Sequence, residues 1–269
     1  MPEDRIHKMI RLLMVAILLL LAYFLPEICI KRMEKQGNIS EKNTVEETAA
    51  EESGKTEVES ESTRESGENQ PKAGEGAVIV LDPGHGGEDP GMVGVGGVKE
   101  KEINLQVAKA LGSLLEQQGF QVVYTRMEDA GLYDVQTANK KAQDMQRRCA
   151  LIEEKKPVLT VSIHQNSYSD PNVYGPQVFY FEHSVDGEAL ASCVQGQLNR
   201  QLEIAKPRVI KGNTNYYILK RSAGTTILVE CSFLSNPQEA AKIQTPEYQQ
   251  AVARAICSGI LEYLEDGSS

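Results

Sequence analysis

The chain has 269 residues, a formal net charge of −10, 6% aromatic residues and no tryptophan. Its acidity is shared, with 10 basic and 15 acidic residues up to Gly76 and 18 against 23 beyond it, and no basic stripe interrupts it. That weighs against a nucleic-acid partner. Length alone allows one sizeable domain or two small ones.

At the N-terminus Arg5, Lys8 and Arg11 precede an apolar run over residues 12–25, closed by Pro26 and Glu27. The run falls short of the roughly 20 residues that span a bilayer and matches a signal-peptide core. No small-x-small cleavage pattern follows it, and Lys31 and Arg32 lie beyond, so residues 1–32 are expected to be an uncleaved membrane anchor. If the segment is cut instead, the protein is secreted; both readings place the rest outside the cytoplasm. Cys29 lacks the small residues that precede a lipidation site. Residues 33–76 are nearly all Glu, Ser, Lys, Thr, Gly, Asn and Gln, which cannot bury a core, and read as a disordered acidic linker. Residues 77–265 remain for one α/β domain.

In that domain residues 77–81 form a β-branched apolar run that breaks at Asp82, Pro83 and Gly84, with His85 directly behind. A glycine- and proline-rich loop follows, and then a helix pattern opens at Glu100 and Glu102 and continues through Ile103, Val107, Leu111, Leu114 and Leu115 to a stop at Gly119. Residues 120–125 read as a second strand, 128–137 as a loop and 138–154 as a helix ended by Pro157. The third strand, 157–163, repeats the first pattern by ending at His164. Strands over 177–182 and 215–220, a helix over 188–202, a core strand over 225–230 ending in Glu230, and helices over 237–244 and 246–265 complete the chain. Cys149, Cys193, Cys231 and Cys257 show no CxxC pairing and read as small hydrophobes.

Three strands thus end in chemistry-bearing residues: His85, His164 and Glu230. In a mostly parallel sheet these ends share one edge, where ligands bind. Two imidazoles and a carboxylate form a catalytic zinc set, and a further carboxylate is required as general base. Spacing leaves the ligand acid open among Glu88, Asp89, Glu100 and Glu102. Each piece has a plainer reading. A lone histidine after a strand is usually a loop or core residue, acidic residues at a helix start suit any helix dipole, and Glu230 reads equally as an ion-pair partner. His7 and His183 read as surface residues. A nucleotide loop is disfavoured, since neither GxGxxG nor GxxxxGK[ST] is present.

The blocks LDPGHGGEDPGMVGVGGVKEKEINL, SIHQNS and LVECSFLSNP resemble, in order and spacing, the three signature blocks of the zinc-dependent N-acetylmuramoyl-L-alanine amidases of the amidase-3 family. The resemblance implies a three-layer α/β/α zinc hydrolase with a mixed, mostly parallel sheet of about six strands. It implies one zinc held by His85, Glu100 and His164, with Glu230 as the catalytic acid/base and peptidoglycan as substrate. Asn166 is a candidate for orienting the substrate or a zinc ligand, with a turn role beside it. Ser232 stands where the family usually has glycine, and is expected to disturb the local turn more than the chemistry. The short domain behind an N-terminal anchor is most similar to the membrane-anchored spore-cortex amidases. The alternatives are a zinc exopeptidase acting on free peptide ends and a non-catalytic wall-binding protein; no activating partner is legible.

Overall fold

The computed structural model describes residues 76–266. The expected anchor and all of the linker but Gly76 lie outside the described residues. Among those described, no helix is long and apolar enough to cross a membrane.

The elements follow in the order β1 (Val78–Pro83), a 3₁₀ turn (Val95–Gly97), α1 (Glu100–Gln117), β2 (Gln121–Tyr124), α2 (Lys140–Lys155), β3 (Leu159–Asn166), β4 (Gln177–Phe181) and α3 (Val185–Gln201). Then come β5 (Lys211–Asn213), α4 (Tyr217–Arg221), β6 (Thr225–Phe233), α5 (Pro237–Lys242) and α6 (Pro246–Asp266). The six strands form one sheet in the order β2-β1-β3-β6-β4-β5. The first four run parallel, β4 runs antiparallel to β6, and β5 runs parallel to β4. The sheet is therefore mixed, with β1, β3 and β6 side by side at its centre.

Continuous apolar runs in these strands reflect burial on both faces. Ile79 and Leu81 of β1, Leu159, Val161 and Ile163 of β3, and Ile227 and Val229 of β6 pack into the larger core together with Leu111, Val194 and Ile256 of α1, α3 and α6. Val80, Phe179 and Leu228 point the other way, onto Cys149 and Ile152 of α2 and Ile218 and Leu219 of α4. Helices on both faces make three layers. Gly259 of α6 lies so close to α3 that a Cβ there would fall 2.5 Å from Val194 Cα, so the two helices meet backbone to backbone. Helix starts are chemically marked: Asn139, Ser184 and Asn236 cap α2, α3 and α5 through their side-chain oxygens.

One predicted element is wrong. Residues 215–220 were expected to be a strand, but Tyr217–Arg221 is the short helix α4, which buries only Ile218 and Leu219. The fifth strand lies just before it, at Lys211–Asn213. An apolar run that buries adjacent residues of one helical turn against a sheet looks like a strand in sequence.

Candidate metal centre

β1 and β3 are paired in parallel up to Pro83 and Ile163, which brings their two histidines to the same edge. Two glycines make room. A Cβ on Gly84 would fall 2.2 Å from His164 Cε1, so the ring lies directly against the Gly84 backbone. A Cβ on Gly91, at φ +65°, would fall 2.6 Å from Glu100 Oε2 and 2.7 Å from His85 Cδ2. His85 itself takes a left-handed φ of 62°, a conformation that costs a non-glycine residue energy and that surrounding bonds must hold.

Those bonds come from two buried arginines. Arg126 donates to the carbonyls of Pro83 and Gly84 at 2.9 Å each. Arg148 donates to those of Pro83 and His85 at 2.8 and 2.7 Å. Arg148 is in turn fixed by Asp82 at 2.7 Å and Asp144 at 2.6 Å. Asp82 also accepts from Thr125 and Ser162, both at 2.7 Å. Burial alone would raise the Asp82 pKa, but the Arg148 charge and these donors hold it down at about 2.

Glu100 opens α1, whose first N–H groups donate to loop carbonyls in place of a side-chain cap: Glu100 N to Met92 O and Lys101 N to Pro90 O. The loop is thereby tied to the helix start. The Glu100 carboxylate stands between the histidines, with Oε1 3.0 Å from His164 Nδ1 and Oε2 3.3 Å from His85 Nε2. The Met92 N–H also donates to Oε2 at 2.8 Å and the Gln165 N–H to Oε1 at 3.0 Å. Burial would raise its pKa, yet the bonds and charges of the two histidines hold it well below the carboxylate range, so Glu100 stays ionised. Asp89 meets His85 Nδ1 at 2.9 Å. That contact suits a proton on Nδ1 and fixes the ring with Nε2 on the Glu100 side, 3.3 Å from Oε2.

Among the acids that spacing left open, only Glu100 joins both histidines. Asp89 supports His85 from behind, Glu88 pairs with Lys140 and Glu102 with Lys99. His183 makes an edge contact with Phe181 and takes no part. One candidate atom each from His85, Glu100 and His164 lies within 4.8 Å of the others. Two ligand atoms about 2.1 Å from one zinc ion at tetrahedral angles stand about 3.4 Å apart; each imidazole reaches its own oxygen of Glu100, at 3.0 and 3.3 Å, and two imidazoles with a carboxylate gathered this closely are a donor set that fits the metal.

Glu230 is the register partner of His164 across β3 and β6, which puts the two side chains next to each other on one face. It is 7% exposed, and its Oε2 is buried with no hydrogen-bond partner. A buried carboxylate oxygen with nothing to accept from is costly unless a ligand or proton completes it. Burial pushes the Glu230 pKa up to about 7, the nearby histidines opposing and Glu100 assisting. Tyr216, at the start of α4, stands close enough that burial and the Glu230 charge push its hydroxyl up to about 12. Sequence reading missed Tyr216 because its run looked like a strand.

Asn166 shows the turn bond that the sequence offered beside an orienting role, whereas Ser232 is placed differently from what the sequence suggested. Asn166 ends β3, and its Oδ1 accepts from the next N–H, Ser167, at 2.8 Å, so the bond it shows is a turn bond. Ser232 lies inside β6, fully buried, and makes no turn. Its hydroxyl donates to Gln165 Oε1 at 2.7 Å.

A buried carboxylate between two histidines at the carboxyl edge of a three-layer sheet, with a second, incompletely bonded carboxylate beside it, defines a metallohydrolase-type centre. Comparison with known proteins narrows the class. Residues 79–262 match the N-acetylmuramoyl-L-alanine amidase family, and the chain belongs to it. Over 194 residues it is 37% identical to a germination-specific N-acetylmuramoyl-L-alanine amidase of Bacillus subtilis, covering 71% of this chain and 81% of that one. Among solved structures it is similar to the CwlD amidase from Clostridioides difficile in complex with the GerS lipoprotein, at 34% identity and a TM-score of 0.69, covering 71% of this chain and 99% of that one. It is also similar to the amidase AmiC2 of Nostoc punctiforme, at 34% identity and a TM-score of 0.62, with 71% and 99% covered. The chain is thus a peptidoglycan amidase, and the exopeptidase alternative falls away.

Proposed function

We propose that the enzyme cleaves the amide between the lactyl group of N-acetylmuramic acid and the L-alanine of the stem peptide, using one zinc ion held by His85, Glu100 and His164. The observation that carries this reading is the pairing of that donor set with a buried carboxylate oxygen, Glu230 Oε2, that has no partner of its own. A zinc ion bound there would supply Lewis acidity, polarising the scissile carbonyl and acidifying water. Glu230 does the proton work. With a pKa raised to about 7 by burial, its Oε2 takes a proton from the attacking water and passes it to the departing amine nitrogen of L-alanine. Glu100 stays anionic and keeps both imidazoles aimed at one point. Tyr216 shares the Glu230 pocket and helps fix the carboxylate.

The similarity to a germination-specific amidase supports a role in spore-cortex or wall remodelling. The basic flank and apolar run of residues 1–32 support tethering outside the cytoplasmic membrane, with residues 33–76 as a stalk and the catalytic domain over 77–265. The lipoprotein in the solved Clostridioides difficile complex supports a lipoprotein partner here as well. Digestion of purified peptidoglycan, with mass spectrometry of the products, tests the chemistry. Free stem peptides with an L-alanine amino end and intact glycan strands are expected, and cleavage inside the peptide or the glycan would refute the assignment.

A further inference from the structure

Behind Glu100 lies a chain of three uncharged polar side chains that catalysis itself does not use. Asn104, one turn along α1, donates through Nδ2 to Glu100 Oε1 at 3.3 Å and to the Gly84 carbonyl at 3.2 Å. Its Oδ1 accepts from Gln165 Nε2 at 3.2 Å, and Gln165 Oε1 accepts from the Ser232 hydroxyl at 2.7 Å. Asn104 and Ser232 are fully buried, and Gln165 is 4% exposed.

A register slip makes the geometry possible. His164 faces Glu230 and Asn166 faces Phe233, so β6 carries an extra residue opposite Gln165, and the slip brings Ser232 to the Gln165 side chain. The direction of the chain matters. An amide has one donor end and one acceptor end, and the two look alike in shape. Glu100 Oε1 and the Gly84 carbonyl can only accept, which commits the Asn104 nitrogen to them, the Asn104 oxygen to Gln165 Nε2 and the Gln165 oxygen to the Ser232 hydroxyl as donor. Were Gln165 to turn over, its oxygen would face the Asn104 oxygen, and two buried acceptors would oppose each other.

We propose that Asn104, Gln165 and Ser232 form a directional relay that positions the Glu100 carboxylate for the metal, with the Ser232 hydroxyl closing its far end as a donor. These are positioning residues; none reaches the substrate. The inference rests on the reading of Glu100 as a metal ligand. Hydrogen-bond partners behind a ligand fix its orientation, and losing one typically weakens metal affinity about 10- to 100-fold. Ser232→Ala removes a single oxygen and leaves the strand backbone alone.

The test is zinc affinity of the full chain, measured by competition with a chromogenic chelator, alongside the absorption spectrum of the cobalt-substituted protein. Ser232→Ala and Gln165→Ala are each expected to raise the zinc dissociation constant about 10-fold or more and to alter the cobalt bands. Because both act through one chain, the double variant should bind zinc no worse than Gln165→Ala alone. Thr160→Val, which replaces a buried hydroxyl with no partner on the same strand β3, should leave the constant unchanged. Wild-type affinity in Ser232→Ala, or fully additive losses in the double variant, would overturn the relay even if melting temperatures fell. A wild-type chain that binds no zinc would instead overturn the ligand assignment itself.

Discussion

Two buried carboxylates a few residues from the same sheet edge show opposite solutions to the same problem. Asp82 is saturated: a guanidinium and two hydroxyls surround it, and its pKa is held at about 2. Glu230 is left short, with one oxygen unpartnered and a pKa raised to about 7. The saturated group sits beneath the site and holds its backbone; the unsaturated one sits in the site, as the proposed proton carrier requires. Stability is built where bonding is complete, and reactivity is kept where it is not.

The largest effect that would test this contrast is on turnover. Glu230→Gln keeps shape and reach but cannot take a proton at neutral pH. It should fold, keep about one zinc per chain, and lose on the order of 10²- to 10⁴-fold in stem-peptide release. A destabilised variant with nearly normal turnover would reassign Glu230 to structure. The proposed metal ligands should behave differently: His85→Ala or His164→Ala should lose most of the zinc along with the activity, read by elemental analysis.

Asp82→Asn probes the saturated partner. It leaves the Arg148 guanidinium buried beside a neutral amide, and breaking a buried pair costs about 3–5 kcal/mol, measurable by denaturant unfolding. In the wild type, Asp82 has a folded pKa below its ordinary 3.8, so its contribution is present above pH 3.8 and is lost as pH falls toward 2. The acid-unfolding limb across that window should flatten in the variant.

Glu230 has the opposite sign. Its folded pKa lies above the ordinary 4.5, so its contribution is present below pH 4.5 and is lost as pH rises through about 7. In metal-free protein the loss amounts to about 3 kcal/mol. Metal-free Glu230→Gln should therefore gain on wild type at pH 8 and match its trend at pH 5, as judged by melting temperature. Equal pH dependence in the two would remove the claim that Glu230 is strained. The smallest effect belongs to a position remote from both carboxylates: Ser184→Ala, which removes the cap donated to by Gly187 N, should cost about 1 kcal/mol and leave turnover unchanged.

Much of this was legible in the chain. β1, β3 and β6 are buried on both faces and announce themselves as apolar runs, and each run ends at a chemistry-bearing residue. The short strand Lys211–Asn213 carries no β-branched residue, and its neighbour α4 imitates a strand, so the edge of the sheet was misread. Arg148 is one of several charges on a polar helix and nothing in the sequence singles it out, yet it is among the largest fully buried side chains. The relay was illegible for a different reason. Gln165 and Asn104 are 61 residues apart and Ser232 a further 67 from Gln165, and nothing local in an Asn, a Gln or a Ser declares such a meeting. Spacing also left the ligand acid open; the structure separates Glu100 from Asp89, Glu88 and Glu102 because the loop carbonyls of Met92 and Pro90 take up the start of α1.

The position of β6 in the sheet has a bearing on how the enzyme comes into being. It is the last strand made, yet it lies between β3 and β4, and its partner residues in β3 precede it by 66 positions. Until it inserts, β3 has an open edge and the two sides of the sheet are unconnected. Such long-range closure is slow compared with helix formation. The same insertion delivers Glu230 and Ser232. On the proposed reading of Glu230 as the proton carrier, a chain whose β6 has not yet inserted holds His85, Glu100 and His164 without it, so hydrolytic competence would arrive with the step that seals the sheet.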